Sequence, residues 1–140
     1  MKKIILSAAF ILVQFIAGSQ TAAAQQEKRL DSSPASFRTF FAKFIGAVER
    51  SDKTAVASMT RFPFTYAFDA GDEGTMSRLQ FIKKFKDIFG ESPRRFMTEK
   101  NPVFSRGDGG SYVISTEDAS HLIFVKSGST YKFTSYLSEP

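Results

Sequence analysis

A regular series of large apolar residues near the start of the chain sets the strongest limit on its fold. Ser33 and Pro34 precede the series in the order typical of a helix start, a capping serine followed by a proline in the first turn. The series recurs every three or four residues, which is one face of an α-helix. Its members are Phe37, Phe40, Phe41, Phe44, Ile45 and Val48. The spacing predicts a helix over 34–50 whose phenylalanine face is buried.

The rest of the chain divides into short helices and closely spaced strands. Ser77 and Gln80 have the spacing of a capping box, and Gly90 stands where a left-handed C-terminal cap is expected. The predicted elements are helices over 34–50, 53–59 and 78–89, a strand over 62–68, a loop over 69–74, and strands near 102–104, 111–115, 121–126 and 130–137. Short turns between strands imply antiparallel pairing. The fold class is therefore α+β, a long N-terminal helix and two shorter helices on an antiparallel sheet of about four to five strands.

The N-terminal segment has the three-part layout of a secretory signal peptide. A short basic segment is followed by an apolar run over 4–18, which is shorter than the roughly 20 residues of a membrane-spanning helix. Ala22 and Ala24 have the spacing of small residues at a cleavage site. We expect an exported, soluble protein, periplasmic or extracellular, that begins at Gln25. An uncleaved N-terminal anchor is the alternative.

The absence of cysteine excludes several kinds of chemistry, and the chain length predicts the number of domains. The chain has 140 residues, 16 phenylalanines and no cysteine. It therefore has no disulfide, no thiolate metal ligand and no cysteine nucleophile, and it lacks the modified cysteine of a lipoprotein. We expect a signal peptide over 1–24, a flexible mature N-terminus over 25–33 and a single domain over 34–140.

Three segments carry a resemblance to a known family. They are the long helix over 37–48, the runs Asp52-Lys53, Ala55-Val56-Ala57 and Phe62-Pro63-Phe64 after it, and the C-terminal strand Tyr131-Lys132-Phe133-Thr134. In element order and apolar pattern the chain resembles the nuclear transport factor 2-like, cystatin-like α+β superfamily, including its small secreted bacterial members. The resemblance implies a curved sheet that wraps around the long helix to form a cone with a pocket. It implies no single activity, because that superfamily includes enzymes, carriers and adaptor domains.

Aromatic side chains on the predicted strands are the candidates for lining such a pocket, because small-molecule pockets are lined mainly by apolar and aromatic groups. The candidates are Phe64, Tyr66, Phe68, Tyr112, Phe124 and Phe133. Their direction depends on strand register, since a shift of one residue sends every side chain to the other face. A ring packed in the core is the alternative for each of them.

A modest basic excess lies in the middle of the chain. Residues 78–106 carry eight basic and three acidic side chains, within a formal net charge of +5. Five basic residues on or just after the third helix form a candidate anion-binding face: Lys83, Lys84, Lys86, Arg94 and Arg95. We expect weak contact with an anionic surface and no nucleic-acid partner, because the excess is small. A solvated helix face is the alternative.

Few residues offer reactive chemistry. His121 is the only histidine and follows Asp118 by three residues, so a histidine–aspartate pair is one hypothesis and a surface histidine is the other. Residues 107–110 predict a hairpin turn in preference to a phosphate-binding loop. The acidic residues over 69–73 lack the spacing of a calcium loop. We therefore assign no catalytic residue and expect neither a metal site nor a cofactor.

Three functional hypotheses remain. The favoured one is a non-catalytic binding module that holds an apolar small ligand or a protein partner. The second is a small pocket enzyme of hydrolase, isomerase or dehydratase type. The third is a homodimeric interaction protein that pairs through its sheet face. The first is preferred because no convergent set of acid, base and oxyanion-binding groups is visible in the sequence.

Overall fold

The structure is a computed structural model, and it describes residue 30 and residues 32–68, 71–90 and 102–139. The predicted signal peptide and residues 25–29 lie outside the described residues, as do Asp69, Arg94 and Arg95. Within the described ranges, no helix combines the length and the apolar character that crossing a membrane requires.

The helices begin and end close to where the sequence predicts. They are α1 (Ala35–Glu49), α2 (Lys53–Ser58), α3 (Arg78–Lys83) and α4 (Phe85–Phe89). The Asp52 carboxylate accepts the Ala55 N–H at 3.0 Å and caps α2. The capping box at Ser77 and Gln80 is present at the start of α3. The helix predicted over 78–89 is divided at Lys84, whose φ of −93° and ψ of 16° leave the helical region.

One curved, open sheet of six strands forms the second layer. Its strands are β1 (Thr60–Ala67), β2 (Glu73–Met76), β3 (Val103–Arg106), β4 (Tyr112–Ser115), β5 (Ser120–Ser127) and β6 (Thr130–Ser138). Their spatial order is β2-β1-β6-β5-β4-β3. The α+β class is confirmed. The sheet has six strands where four to five were expected, and it is mixed, because β1 and β6 run parallel.

Strands β1 and β2 hold the features that differ from the expected sheet. Strand β2 lies partly in the predicted loop over 69–74, and only Met76 in it is buried, so it lacks a clear apolar alternation. The β1–β6 register is irregular between Thr60 and Thr65, the stretch that holds the cis peptide bond Phe62–Pro63. Proline has no N–H to donate to a ladder. Neither a short polar edge strand nor a parallel pairing between residues about seventy positions apart is visible in local sequence.

The core is a stack of aromatic rings between α1 and the sheet. The Phe44 ring meets the Phe124 ring edge-on at a centroid distance of 5.2 Å and the Phe133 ring at 5.0 Å. From α3 and α4, Phe81 and Phe89 also contact Phe133. The buried residues of α1 are Phe37, Phe41, Phe44, Ile45, Ala47 and Val48, which confirms the predicted apolar face, with Phe40 partly buried beside it.

Alternation along β5 separates the two faces of the sheet. Ser120, Leu122 and Phe124 are buried, and the Phe124 ring meets the Phe44 ring of α1. The alternate residues His121, Ile123 and Val125 lie on the opposite face and are half-buried. The helical face of the sheet is therefore filled by rings, while the other face is uncovered by any described helix.

Truncation of a central ring should destabilise the fold strongly. Phe44→Ala and Phe85→Ala should each lower the free energy of unfolding by roughly 3–5 kcal/mol, because both side chains are fully buried and would leave a cavity. Urea unfolding measures this. Leu79→Ala is the matched control: Leu79 is 72% exposed, so its loss should change stability by less than about 0.5 kcal/mol. An unchanged midpoint for Phe44→Ala or Phe85→Ala would contradict the packing.

Candidate functional site

A groove lies between α1 and the first residues of β6, and we call it the α1–β6 groove. Its volume is about 250 Å³. Its lining residues are Ser36, Thr39, Phe40, Lys43, Met59, Thr130, Tyr131 and Lys132. Pockets that bury drug-sized molecules have volumes of roughly 300–1,000 Å³, so this groove suits a small ligand.

The groove exists because two neighbouring strands start at different levels. Strand β1 begins at Thr60, which is paired with Phe133, so residues 130–132 of β6 extend past the start of β1. The turn before β1 closes this end of the sheet, since the Phe133 N–H donates to the Met59 carbonyl at 2.9 Å. Helix α1 passes above residues 130–132, which have no partner on β1, and supplies the opposite wall.

The groove combines an apolar floor with a polar rim. The Phe40 and Tyr131 rings contact each other at a centroid distance of 5.6 Å, and Met59 lies beside them. The Ser36 hydroxyl hydrogen bonds to the Tyr131 hydroxyl at 2.8 Å. Lys132 donates to the Ser58 carbonyl at 2.7 Å, which uses one of its three N–H groups. The arrangement can hold an apolar group below and a hydrogen-bonding group at the rim.

A row of polar groups continues from the groove into the sheet. Tyr131 hydrogen bonds to Tyr112, and the Arg106 guanidinium lies 4.0 Å from the centroid of the Tyr112 ring. The hydrogen-bonding guanidinium of Arg106 lowers the pKa of the Tyr112 hydroxyl. Tyr131 and the charge of Lys126 lower this pKa further, while burial opposes them. The hydroxyl row therefore ends beside positive charge.

The six aromatic residues predicted to line a pocket are not among the residues that line this groove. Phe64, Phe124 and Phe133 are fully buried, and Phe133 contacts both of the others at centroid distances of 4.8 and 5.2 Å. Tyr112 is buried and stacks on Phe37 at 4.8 Å. These four rings fill the space between the helices and the sheet.

Tyr66 and Phe68 lie at the other end of β6 from the groove. They are half-buried and contact each other at a centroid distance of 5.0 Å. Phe68 also contacts Tyr136, whose neighbour across the β1–β6 pair is Tyr66. Whether these two rings contact a ligand stays a prediction.

A helical stripe was the sequence signal that could have revealed the groove. Ser36, Thr39, Phe40 and Lys43 recur at the same three- and four-residue spacing as the core face, one position away from it. The apolar members of α1 alone predict one core face that includes Phe40. The exposed side of an ordinary helix has the same mixture of polar and apolar residues. Only the position of β6 beside α1 shows that these residues line a groove.

His121 has partners other than the one considered from sequence. Its Nδ1 atom lies 2.8 Å from the Ser115 hydroxyl, and its Nε2 atom lies 3.5 Å from a carboxylate oxygen of Glu139. The Nε2 atom is shielded from solvent and makes no hydrogen bond within the described part of the chain. The Glu139 carboxylate is therefore within ion-pair distance of Nε2 without being hydrogen bonded to it. Asp118 instead accepts a hydrogen bond from Thr116. This cluster lies on the face of the sheet away from α1.

The basic face is only partly described. Lys83, Lys84 and Lys86 are exposed on α3 and α4 and at the turn between them. The Lys84 ammonium lies 5.7 Å from the centroid of the Tyr66 ring, a cation–π distance. Arg94 and Arg95 lie outside the described residues. Anion binding at this face stays a prediction.

The remaining candidate loops have the conformation of turns. Asp108–Gly110 is a short 3₁₀ turn between β3 and β4, and Gly109 and Gly110 have φ values of 66° and 78° that favour glycine. Within the described residues, no group of three or more histidine, cysteine, aspartate or glutamate side chains is arranged to hold a metal ion.

Comparison with known proteins gives structural similarity without sequence similarity. No family model and no curated protein sequence matches the chain. Solved structures with a similar arrangement include Aln2 from a Streptomyces species, with 11% identity over 76% of this chain and 91% of that one and a TM-score of 0.49. An NTF2-like protein of unknown function from Cytophaga hutchinsonii has 13% identity, coverage of 77% and 92%, and a TM-score of 0.41.

A third similar structure is a candidate calcium/calmodulin-dependent protein kinase II association domain from Xanthomonas campestris. It has 14% identity, coverage of 71% and 83%, and a TM-score of 0.41. The superfamily named for the Cytophaga protein is the one that the sequence resembles. Similarity at this level concerns the arrangement of the chain, and no function is carried over from it.

The Tyr112 environment predicts an early tyrosine ionisation. In the wild-type protein, Tyr112 should lose its proton below the ordinary tyrosine pKa near 10, because Arg106 stabilises the tyrosinate. Arg106→Gln should raise the pKa of Tyr112. Ultraviolet absorbance titration of the tyrosinates measures this, and Tyr112→Phe should remove the earliest step. An early step that persists in Tyr112→Phe would contradict the assignment. Arg106 is exposed, so its substitution should leave the core intact.

The same lowered pKa predicts how stability should depend on pH. The folded state releases the Tyr112 proton before the unfolded state does, so this group adds stability as pH rises from its folded pKa towards 10. The contribution is complete above the unfolded pKa and disappears as pH falls through the folded pKa. Arg106→Gln should reduce this contribution, which urea unfolding at two pH values measures.

Proposed function

We propose that the protein is an exported, non-catalytic module that holds a small, largely apolar ligand in the α1–β6 groove. The observation that carries the proposal is the combination of an apolar floor, Phe40, Met59 and Tyr131, with hydroxyl and ammonium groups at the rim. Small-molecule sites have this composition, a mainly apolar lining and a few polar groups that fix orientation.

The lining chemistry favours binding over turnover. Its eight residues include no histidine, carboxylate or cysteine that could act as a general base or nucleophile near neutral pH. His121 lies far from the groove along β5. It pairs with Leu137, whereas Val125 pairs with Lys132 in the groove. Four residues of strand separate the two positions, about 13 Å.

Blocking the groove should abolish ligand binding without unfolding the protein. Thr39→Trp should fill the groove, and it should be tolerated because Thr39 is exposed and its hydroxyl bonds only within α1, to the Ala35 carbonyl at 3.1 Å. Ala42→Trp is the matched control, since Ala42 is exposed on the same helix and does not line the groove. A thermal-shift screen with small apolar compounds measures binding, and saturation at 100 times Kd adds about 2.7 kcal/mol of stability.

The same screen separates the module from the enzyme. Compounds should stabilise the wild type, Ala42→Trp and His121→Ala, and they should not stabilise Thr39→Trp. The contact between Ser115 and His121 favours a hydrolase as the second candidate, with the serine as nucleophile and the histidine as base. Hydrolysis of an activated ester that is lost in both Ser115→Ala and His121→Ala would overturn the module and favour that enzyme.

Cleavage of the signal peptide should depend on the residues at the cleavage site. We expect the exported protein to begin at Gln25, as measured by intact mass. Ala22→Leu and Ala24→Leu should each block processing, because a large side chain at either small-residue position prevents cleavage. Ala23→Leu is the control and should still be processed. Retention of residues 1–24 on the wild-type protein would contradict export as a cleaved form.

A further inference from the structure

The lining of the α1–β6 groove carries a net positive charge. Lys43 and Lys132 both line it, and none of its eight lining residues is acidic. Lys43 makes no ion pair and no hydrogen bond within the residues that the structure describes, and Lys132 keeps two N–H groups beyond its bond to Ser58. The groove therefore presents ammonium donors whose charge no neighbouring carboxylate in the lining balances.

Ser36 is an exposed hydroxyl at the same rim, and it hydrogen bonds to the Tyr131 hydroxyl at 2.8 Å. Tyr131 donates to Tyr112, since this hydrogen bond lowers the Tyr112 pKa. Ser36 therefore donates its one proton to Tyr131, and the lysines are the donors that remain for a ligand.

The apolar floor lies next to these donors. Phe40 is half-buried between the core rings and the groove, and it contacts Tyr131. Met59 is a flexible, polarisable side chain that adapts to ligand shape. A ligand that fits both parts has an apolar body on Phe40 and Met59 and an acceptor-only, negatively charged head beside the lysines.

We propose that the ligand of this groove is a small amphipathic acid whose ionised head is bound by Lys43 and Lys132. This inference rests on the proposed function, and it adds the chemical class of the ligand. A neutral apolar molecule would leave the two ammonium groups without a partner. A cationic molecule would be repelled by them.

Paired probes that differ only in the head group test the proposal. Octanoate, ionised at neutral pH, and 1-octanol share an apolar body, and both are small enough for a groove of about 250 Å³. Octanoate should bind the wild-type protein roughly tenfold more tightly, the difference expected from one charge-assisted hydrogen bond. Isothermal titration measures both constants, and the advantage of octanoate should shrink as salt is raised.

Matched variants locate the head group. Lys43→Met should remove most of the octanoate advantage and leave 1-octanol unaffected, and Lys43→Arg should retain the advantage. Arg78→Met is the control, because Arg78 is an exposed basic residue that belongs neither to the groove nor to the candidate anion-binding face, and its loss should change neither constant. Lys43 is also exposed, so both methionine variants should fold.

The outcomes separate the two proposals. If octanoate and 1-octanol bind equally well, or if Lys43→Met keeps the octanoate advantage, the inference about the head group is wrong and the binding module stands. If neither probe binds the wild type and no apolar compound stabilises it, the proposed function fails first. Tighter octanoate binding that depends on Lys43 and weakens with salt supports both.

Discussion

The edge-on contact of Phe44 with Phe124 and Phe133 is the interaction on which the rest of the structure depends. It fixes the middle of α1 over β5 and β6 at centroid distances of 5.2 and 5.0 Å. Aromatic rings prefer such edge-to-face geometry because the ring edge is positive and the ring face is negative. With α1 held there, Phe37 reaches Tyr131 from an earlier turn of the helix, and the flank of the helix borders the start of β6.

This packing also explains why we propose a ligand site outside the centre of the core. A cone with a central pocket was expected, but Phe124 and Phe133 are fully buried among other rings. Rings that line a cavity and rings that fill it have the same spacing in a sequence, since both face inward at period two. Only the number of rings that converge from α1, α3 and α4 distinguishes them. The groove in which we propose a ligand lies instead at the margin of the core, where Phe40 has core contacts on one side and the groove on the other.

Local signals predicted most of the secondary structure, and non-local pairing explains what they missed. The spacing over 37–48 and the capping box at Ser77 are local patterns within single helices, so the sequence carries them directly. The parallel pairing of β1 with β6 joins residues about seventy positions apart, and no local pattern encodes it. The groove depends on that pairing, because it exists only where Thr60 begins opposite Phe133. The sequence therefore shows which kinds of residue are present, but it does not show that the residues of the groove lie close together.

The hydroxyl row joins the groove to the far side of the sheet. Ser36 lies on α1, Tyr131 on β6, Tyr112 on β4 and Arg106 on β3, so one line of contacts crosses from the helix to the far strand of the sheet. A negative charge bound near Ser36 would oppose ionisation of Tyr112, because like charges disfavour each other. Linkage makes the effect reciprocal, so an ionised Tyr112 would weaken the binding of an acid by the same factor. Arg106 favours the ionised form of Tyr112, so Arg106 and an acid in the groove would have opposite effects on the pKa of Tyr112.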